Sequence, residues 1–422
     1  MNHAAYPRPN VGTLSHSPAN PLAMNVPPYF TIPADSHLVS GDRSCLPLKP
    51  HLRQIINLVA TRYGPHTDLR VLAGNVIGAG GWRDLPTRRQ YDYVNSRAGA
   101  FIASGMMYLE VAGPQAAEVL DYLTPRSIAA LKVGRAVFTI FTSHIGGIDE
   151  EALVLRIAED RFLVSCGGGC TPSYLHEALE RFPEVMVSDS DFVSFNIKGP
   201  DRITVMTGLV DPQDHMVVSA LKPFHSCACR TRAGDLVHVV RSVIGMEMWG
   251  LPAAITAVWQ DILDKPDEVL PCAWDLLDTY RMECEDINFL LHPLDMNYAT
   301  SLFDVGMGWM VNPQKTVDYV GKDALSKASL RKGLAVFKLC STGHRSEPPK
   351  IGDSVSNSDG VACGYVTSCG FSYKMNSHVA FVHLDGAGQS GSDVSDIVGW
   401  EKYGKAADQH TRISYKFMDH AE

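Results

Sequence analysis

The 422-residue sequence contains no run of about eighteen apolar residues, so no segment is expected to cross a membrane as a helix. Dense clusters of Lys and Arg are also missing, and the formal net charge is -9. A nucleic-acid binder needs a basic face to neutralise phosphates, so that class is excluded. No secretory leader is visible, and the ten cysteines include isolated Cys45, Cys272, Cys284 and Cys340 but no CxxC pair. Free thiols in a reducing cytoplasm are expected. Two tighter groups occur, Cys166-Gly167-Gly168-Gly169-Cys170 and Cys227-Ala228-Cys229 near His225. Neither has further ligands at zinc spacing, so no metal site is expected. The glycines between Cys166 and Cys170 read as backbone that admits a close approach. Gly78-Ala79-Gly80-Gly81 lacks the Lys-Ser/Thr of a phosphate loop and reads as a plain loop.

The length exceeds what one core usually serves, so two or three packed units are expected. Residues 1–45 are rich in Pro, Asn, Ser and His without periodicity, and read as an extended or disordered arm. From Tyr108 a strand pattern runs into Gly113-Pro114 and then an apolar-faced helix over Gln115 to Leu123. From Phe192 the same grammar returns, through Gly199-Pro200 into a helix over Asp201 to Leu209. Two such units predict a duplicated α+β region over residues 46–330. Further strands are expected at Ala136 to Thr142, Ala152 to Ile157, Phe162 to Ser165 and Leu236 to Arg241, with helices at Pro172 to Arg181 and Ala253 to Leu263. Residues 331–422 carry short strand signals, including Leu334 to Leu339, Val361 to Thr367 and His378 to Val382, and predict a small β-barrel or sandwich.

Several motifs carry chemistry. Gly245-Met246-Glu247-Met248-Trp249-Gly250 sets one carboxylate in an apolar strand, where burial is costly unless the group has a task. A single carboxylate can accept from two N–H donors set side by side. Asp278-Thr279-Tyr280-Arg281-Met282-Glu283 sets Asp278 and Arg281 one helical turn apart, where they can simply pair. Gly146-Gly147-Ile148-Asp149-Glu150-Glu151 reads as an acidic turn, either solvated or catalytic.

Taken together these strings resemble the glycine-cleavage T-protein (aminomethyltransferase) superfamily. Asp318-Tyr319-Val320-Gly321-Lys322-Asp323-Ala324-Leu325, preceded by Gly308-Trp309, is similar to the family's Asp-Phe-Ile-Gly-Arg-Glu-Ala-Leu. Asp278 to Glu283 is similar to its Asp-Thr-Leu-Arg-Leu-Glu helix, and Ser96 to Phe101 to an N-terminal stretch whose following histidine is replaced by Gly105. The Glu247-to-Gly250 string, with Gly364-Tyr365-Val366-Thr367-Ser368 and Gly370-Phe371-Ser372-Tyr373, leans toward the tetrahydrofolate-dependent aromatic O-demethylases of that superfamily.

The resemblance implies a three-part, ring-like α+β fold, with two α+β segments and a C-terminal β-barrel around a folate channel. It implies tetrahydrofolate as cofactor, bound by Glu247, Trp249, Arg281, Phe371 and Tyr373, and a small methylated substrate. Methyl transfer to N5 of tetrahydrofolate is the first reading, with Glu150, Glu151 and Tyr280 as catalytic candidates. Glu150, at the position of the family's first aspartate, is expected to face the folate. Leu277 stands where aromatic demethylases place a tyrosine acid. Aminomethyl or formimino transfer, and a folate-binding protein without catalysis, are the alternatives. Oligomeric state is left open.

Overall fold

The computed structural model describes residues 29–33, 48–72, 75–102, 106–167, 172–242, 245–283, 290–328, 334–339, 350–356, 362–384 and 400–402. Strand β1 (Tyr29–Pro33) falls within the segment read as an arm, and the rest of that segment lies outside the described residues. It pairs with β2 (Asp68–Leu72), which pairs in turn with β3 (Asn75–Ala79), forming a three-stranded antiparallel sheet. Helix α1 (Pro50–Tyr63) opens on proline, where no N–H is missed, and turns Leu52, Ile55, Ile56 and Val59 inward. Helix α2 (Thr87–Ser96) and strand β4 (Gly99–Ile102) follow.

The duplication expected from the two Gly-Pro turns is visible in the strand order. The first unit contains β5 (Met107–Ala112), α3 (Ala116–Leu123), β6 (Arg135–Thr142), β7 (Ile148–Ala158), β8 (Arg161–Cys166), α4 (Leu175–Arg181) and β9 (Met186–Asp189). The second contains β10 (Val193–Lys198), α5 (Arg202–Thr207), α6 (His215–Ser219), β11 (His225–Arg230), β12 (Leu236–Arg241), β13 (Met246–Gly250), α7 (Pro252–Leu263) and β14 (Leu270–Cys272). All these strands, with β4, form one 11-stranded sheet in the order β14-β4-β10-β13-β12-β11-β6-β7-β8-β5-β9. The two halves repeat one pattern and meet where His225 of β11 pairs with Arg135 of β6. Gly113 and Gly199 occupy equivalent strand-to-helix turns, with φ of 127° and 103°. A Cβ there would come within 2.3 Å of Glu184 O or 2.5 Å of Val94 O, so both positions require glycine.

Each half buries its outer face under helices. Phe195, Ile197, Met246 and Met248 pack with α1 and α7, while Phe141, Ala152 and Val154 pack with α3 and α4. The opposite face of the sheet curls on itself and encloses Tyr108, Leu155, Leu163, Val240 and Trp249. Tyr108 of β5 and Ser194 of β10, equivalent strands of the two halves, share a hydroxyl hydrogen bond of 2.5 Å across it.

Helix α8 (Trp274–Glu283) and α9 (Lys322–Lys327) lead to the C-terminal part. There β15 (Leu334–Leu339), β16 (Ser354–Ser356), β17 (Ala362–Ser372), β18 (Ser377–Leu384) and β19 (Trp400–Lys402) form a five-stranded sheet in the order β16-β17-β18-β15-β19. Two local expectations change. The acidic triplet lies on strand β7 rather than on a turn, because β7 already begins at Ile148. Gly78 and Gly80 are needed for packing within the protein, since Cβ atoms there would meet the Trp274 ring at 2.5 Å and the Asp68 carboxylate at 2.2 Å.

Candidate active site

Glu247 sits on β13 between Met246 and Met248, whose side chains point into the helix-covered core. Strand alternation therefore turns Glu247 and Trp249 to the inner face, where Trp249 is fully buried. The Trp249 indole N–H donates to Glu247 Oε2 at 3.2 Å, and the Asn196 amide and the Ser242 hydroxyl, which donates to Gly245 O at 3.3 Å, lie beside this carboxylate. Burial nevertheless pushes the Glu247 carboxyl above its ordinary range, against the pull of those donors and of nearby Lys198.

Register extends the site sideways. Phe101 of β4, Asn196 of β10, Glu247 of β13 and Val240 of β12 stand directly opposite one another in sequence across the sheet and share its inner face. The Lys198 ammonium lies 5.4 Å from the Phe101 ring centroid. Asn196 and Lys198 were not among the residues singled out from sequence. Their strand was recognised, but only its register with β13 reveals them as neighbours of Glu247.

The carboxylates of β7 are turned the other way from expectation. Asp149 is an extra residue in that strand, since Thr142 pairs with Ile148 while Phe141 pairs with Glu150. Beyond this bulge Glu150 shares a face with Ala152 and Val154, under the α3 and α4 helices, and is 1% exposed. Glu151 shares the inner face with Leu153 and Leu155 and is half-buried. Burial, and then the charges of Glu150 and Asp295, push the Glu151 carboxyl up to about 8. Gly167 makes room for it, since a Cβ there would come within 2.5 Å of Glu151 Oε1. Asp149 accepts the Ser173 N–H at 2.7 Å.

The remaining candidates form two other groups. Arg281 is 1% exposed and donates to Asp278 Oδ1, Asp295 Oδ2 and Ser368 Oγ, each at 2.8 Å. Asp295 also accepts from Thr367 Oγ1 at 2.7 Å and from the Leu291 N–H at 3.1 Å. This buried network ties α8 to β17, so Arg281 is engaged with the protein's own carboxylates. Tyr280 donates to Asn95 Oδ1 at 3.1 Å and contacts Tyr91 and Phe101, with ring centroids 5.7 and 6.3 Å away. Burial raises its phenol further above an already high range, which makes it a poor acid. Tyr373 contacts Tyr91 at 5.0 Å and Phe371 at 5.4 Å, and Phe371 meets His378 at 5.3 Å. The aromatic run from Phe101 through Tyr280 and Tyr91 to Tyr373 thus links the Glu247 row to the C-terminal sheet.

Among the described residues no group of three or more His, Cys, Asp and Glu could hold a metal ion, and no helix is long and apolar enough to cross a membrane. Cys166 is buried on β8, and Cys170 lies outside the described residues.

Comparison with known proteins adds to this geometry. The family model described as the GCVT N-terminal domain matches residues 81–315. An aminomethyltransferase of Streptomyces coelicolor is 27% identical over 337 residues, covering 75% of this chain and 87% of that protein. An aminomethyltransferase of Symbiobacterium thermophilum is 24% identical, covering 78% of this chain and 90% of its own. The crystal structure of glycine cleavage system aminomethyltransferase T from Bartonella henselae superposes with a TM-score of 0.67 at 21% identity, covering 80% of this chain and 92% of that one. The ring-like α+β architecture expected from sequence is therefore the observed fold.

Proposed function

We infer the function of this chain from its membership of the GCVT N-terminal domain family, to which it belongs, and from the inner face that carries Glu247: it is a tetrahydrofolate-dependent one-carbon transferase of the aminomethyltransferase type. The observation that carries this reading is the Glu247–Trp249 pair on β13, beside Asn196 and Phe101. The residues present fit a pterin. Glu247 is a half-buried carboxylate with acceptor capacity beyond the Trp249 bond, and Phe101 supplies an aromatic wall on the same face. Bound tetrahydrofolate supplies amine nitrogens that take up a one-carbon unit.

The chain's own residues then have separate tasks. Glu247 and its donors hold and orient the ligand. Glu151, with its carboxyl pushed up to about 8, retains a proton at neutral pH and can deliver it to a leaving group on the same inner face. Glu150 lies on the other face, where it belongs to the packing under α3 and α4.

Demethylation of a methoxy substrate has less support. Tyr280, the acid suggested for a departing oxygen, is occupied with Asn95 and packed among aromatic rings, so an oxygen leaving group too would draw its proton from Glu151, and the similar proteins are aminomethyltransferases. The test is incubation with tetrahydrofolate and donors bearing aminomethyl, N-methyl or O-methyl groups, with folate products identified by mass. Formation of 5,10-methylene-tetrahydrofolate from an aminomethyl donor is expected. Exclusive formation of 5-methyl-tetrahydrofolate would move the chain to the demethylase branch, and folate binding without any product would make it a binding protein.

A further inference from the structure

Asn196 lies directly opposite Glu247 in the β10–β13 pair, and the residue is 6% exposed. Gly245 makes its placement possible, because a Cβ on that glycine would come within 2.2 Å of Asn196 Oδ1. The oxygen is buried in that space without a hydrogen-bond partner among the described residues. An unpaired buried carbonyl is unfavourable, so the amide weakens the sheet in which it sits, and an apolar residue would serve packing better. What the amide provides is at its other end, where it faces the Glu247 carboxylate as a donor.

We propose that Asn196 is a positioning residue for ligand binding: with the Trp249 indole N–H it fixes the Glu247 carboxylate on the inner face, leaving that carboxylate's remaining lone pairs to a heterocycle with two adjacent N–H donors. The proposal rests on the folate reading of the same site and deepens it. Trp249 reaches back from two residues along the strand, and Asn196 reaches across from the neighbouring strand. Donors from two directions restrict rotation of the carboxylate about its terminal bond, which one donor alone does not. A fixed acceptor binds without the entropy cost of ordering it on arrival.

The test uses the full chain and tetrahydrofolate itself, titrated by calorimetry from pH 8 to pH 6 with the parent, Asn196→Asp, Asn196→Ala and Glu247→Gln. In the parent, affinity weakens as falling pH protonates Glu247, whose carboxyl burial holds above its ordinary range against the pull of nearby Lys198. Asn196→Asp keeps the shape but sets two carboxyls face to face. At pH 8 they repel, and affinity is expected to drop at least about tenfold. As the pH falls the pair shares a proton, a donor toward Glu247 is restored, and affinity rises. The two slopes therefore have opposite signs, which loss of stability alone does not produce. Asn196→Ala is expected to weaken binding without reversing the slope, and to have little further effect in a Glu247→Gln background. If the parent binds, Glu247→Gln weakens binding and both Asn196 variants match the parent in affinity and slope, this inference falls and the folate reading stands. A parent that binds no tetrahydrofolate overturns both.

Discussion

Glu151 and Glu247 share one face of a single continuous sheet, although β12, β11 and β6 separate their strands. Leu155, on the Glu151 face of β7, and Trp249, on the Glu247 face of β13, belong to one cluster inside the curled sheet. Two inward-facing carboxylates thus stand on one face of the sheet, contributed by different halves of the duplication.

The two glutamates of β7 should consequently behave differently. Glu151→Gln is expected to lower turnover by about 10²–10⁴, the range for a proton-transfer group, with tetrahydrofolate affinity little changed. Glu150→Gln should act mainly on stability. Because the Glu151 carboxyl is raised to about 8 in the folded protein, turnover that needs its proton should decline as pH rises through that value. Stability follows the same sign. The folded state binds this proton more tightly than the unfolded state, so its contribution is full below the ordinary carboxyl range and is lost as pH rises through about 8. Denaturation curves of parent and Glu151→Gln between pH 5 and about 9 check this, and equal pH slopes would remove Glu151 from the account.

Replacing Glu247 by Gln should weaken tetrahydrofolate binding by about 1.5–3 kcal/mol, the worth of hydrogen bonds to a charged group. The fold should be unaffected, since a glutamine oxygen can still accept from Trp249. Calorimetry with a parallel thermal melt decides it; unchanged affinity at unchanged Tm excludes Glu247 from the site.

What was legible in the sequence was whatever local chemistry dictates. Gly113-Pro114 and Gly199-Pro200 mark the duplication because both turns demand a positive φ that glycine accepts. Met246 and Met248 flanking Glu247 fix that strand's inward and outward faces by alternation alone. The orientation of the β7 glutamates was not legible, because one extra residue at Asp149 exchanges the faces and nothing in the acidic run reveals a bulge. Asn196 escaped notice for a related reason. Its meaning lies in register with a strand far along the chain.

Tyr280→Phe tests whether the phenol takes part in transfer. The hydroxyl bonds to Asn95 near the surface while the ring packs on Phe101 and Tyr91. Removing the oxygen leaves the packing intact, so turnover with an aminomethyl donor should stay within a few-fold of the parent, as suits a hydrogen bond worth about 1 kcal/mol. A loss of about a hundredfold or more, measured as methylene-tetrahydrofolate formed, would return Tyr280 to the role of general acid.

Arg281 was expected to touch folate, and its surroundings argue for a different task. Its guanidinium is buried among Asp278, Asp295 and Ser368, and Asp295 in turn takes donors from Thr367 and Leu291. Through this node α8 is fastened to β17, the longest strand of the C-terminal sheet. Arg281→Met would leave Asp295 as a buried charge without its cation, a change that typically costs about 3–5 kcal/mol. Urea denaturation should therefore show a large loss of stability. Pairing the change with Asp295→Asn should recover part of it, because the orphaned charge is removed with its partner. Weakening of folate affinity, measured below the unfolding range, should be smaller than for Glu247→Gln. If instead Arg281→Met unfolds at the parent's denaturant midpoint and abolishes tetrahydrofolate binding, the guanidinium belongs to the ligand site, and the Asp278–Arg281–Asp295 network opens when folate binds.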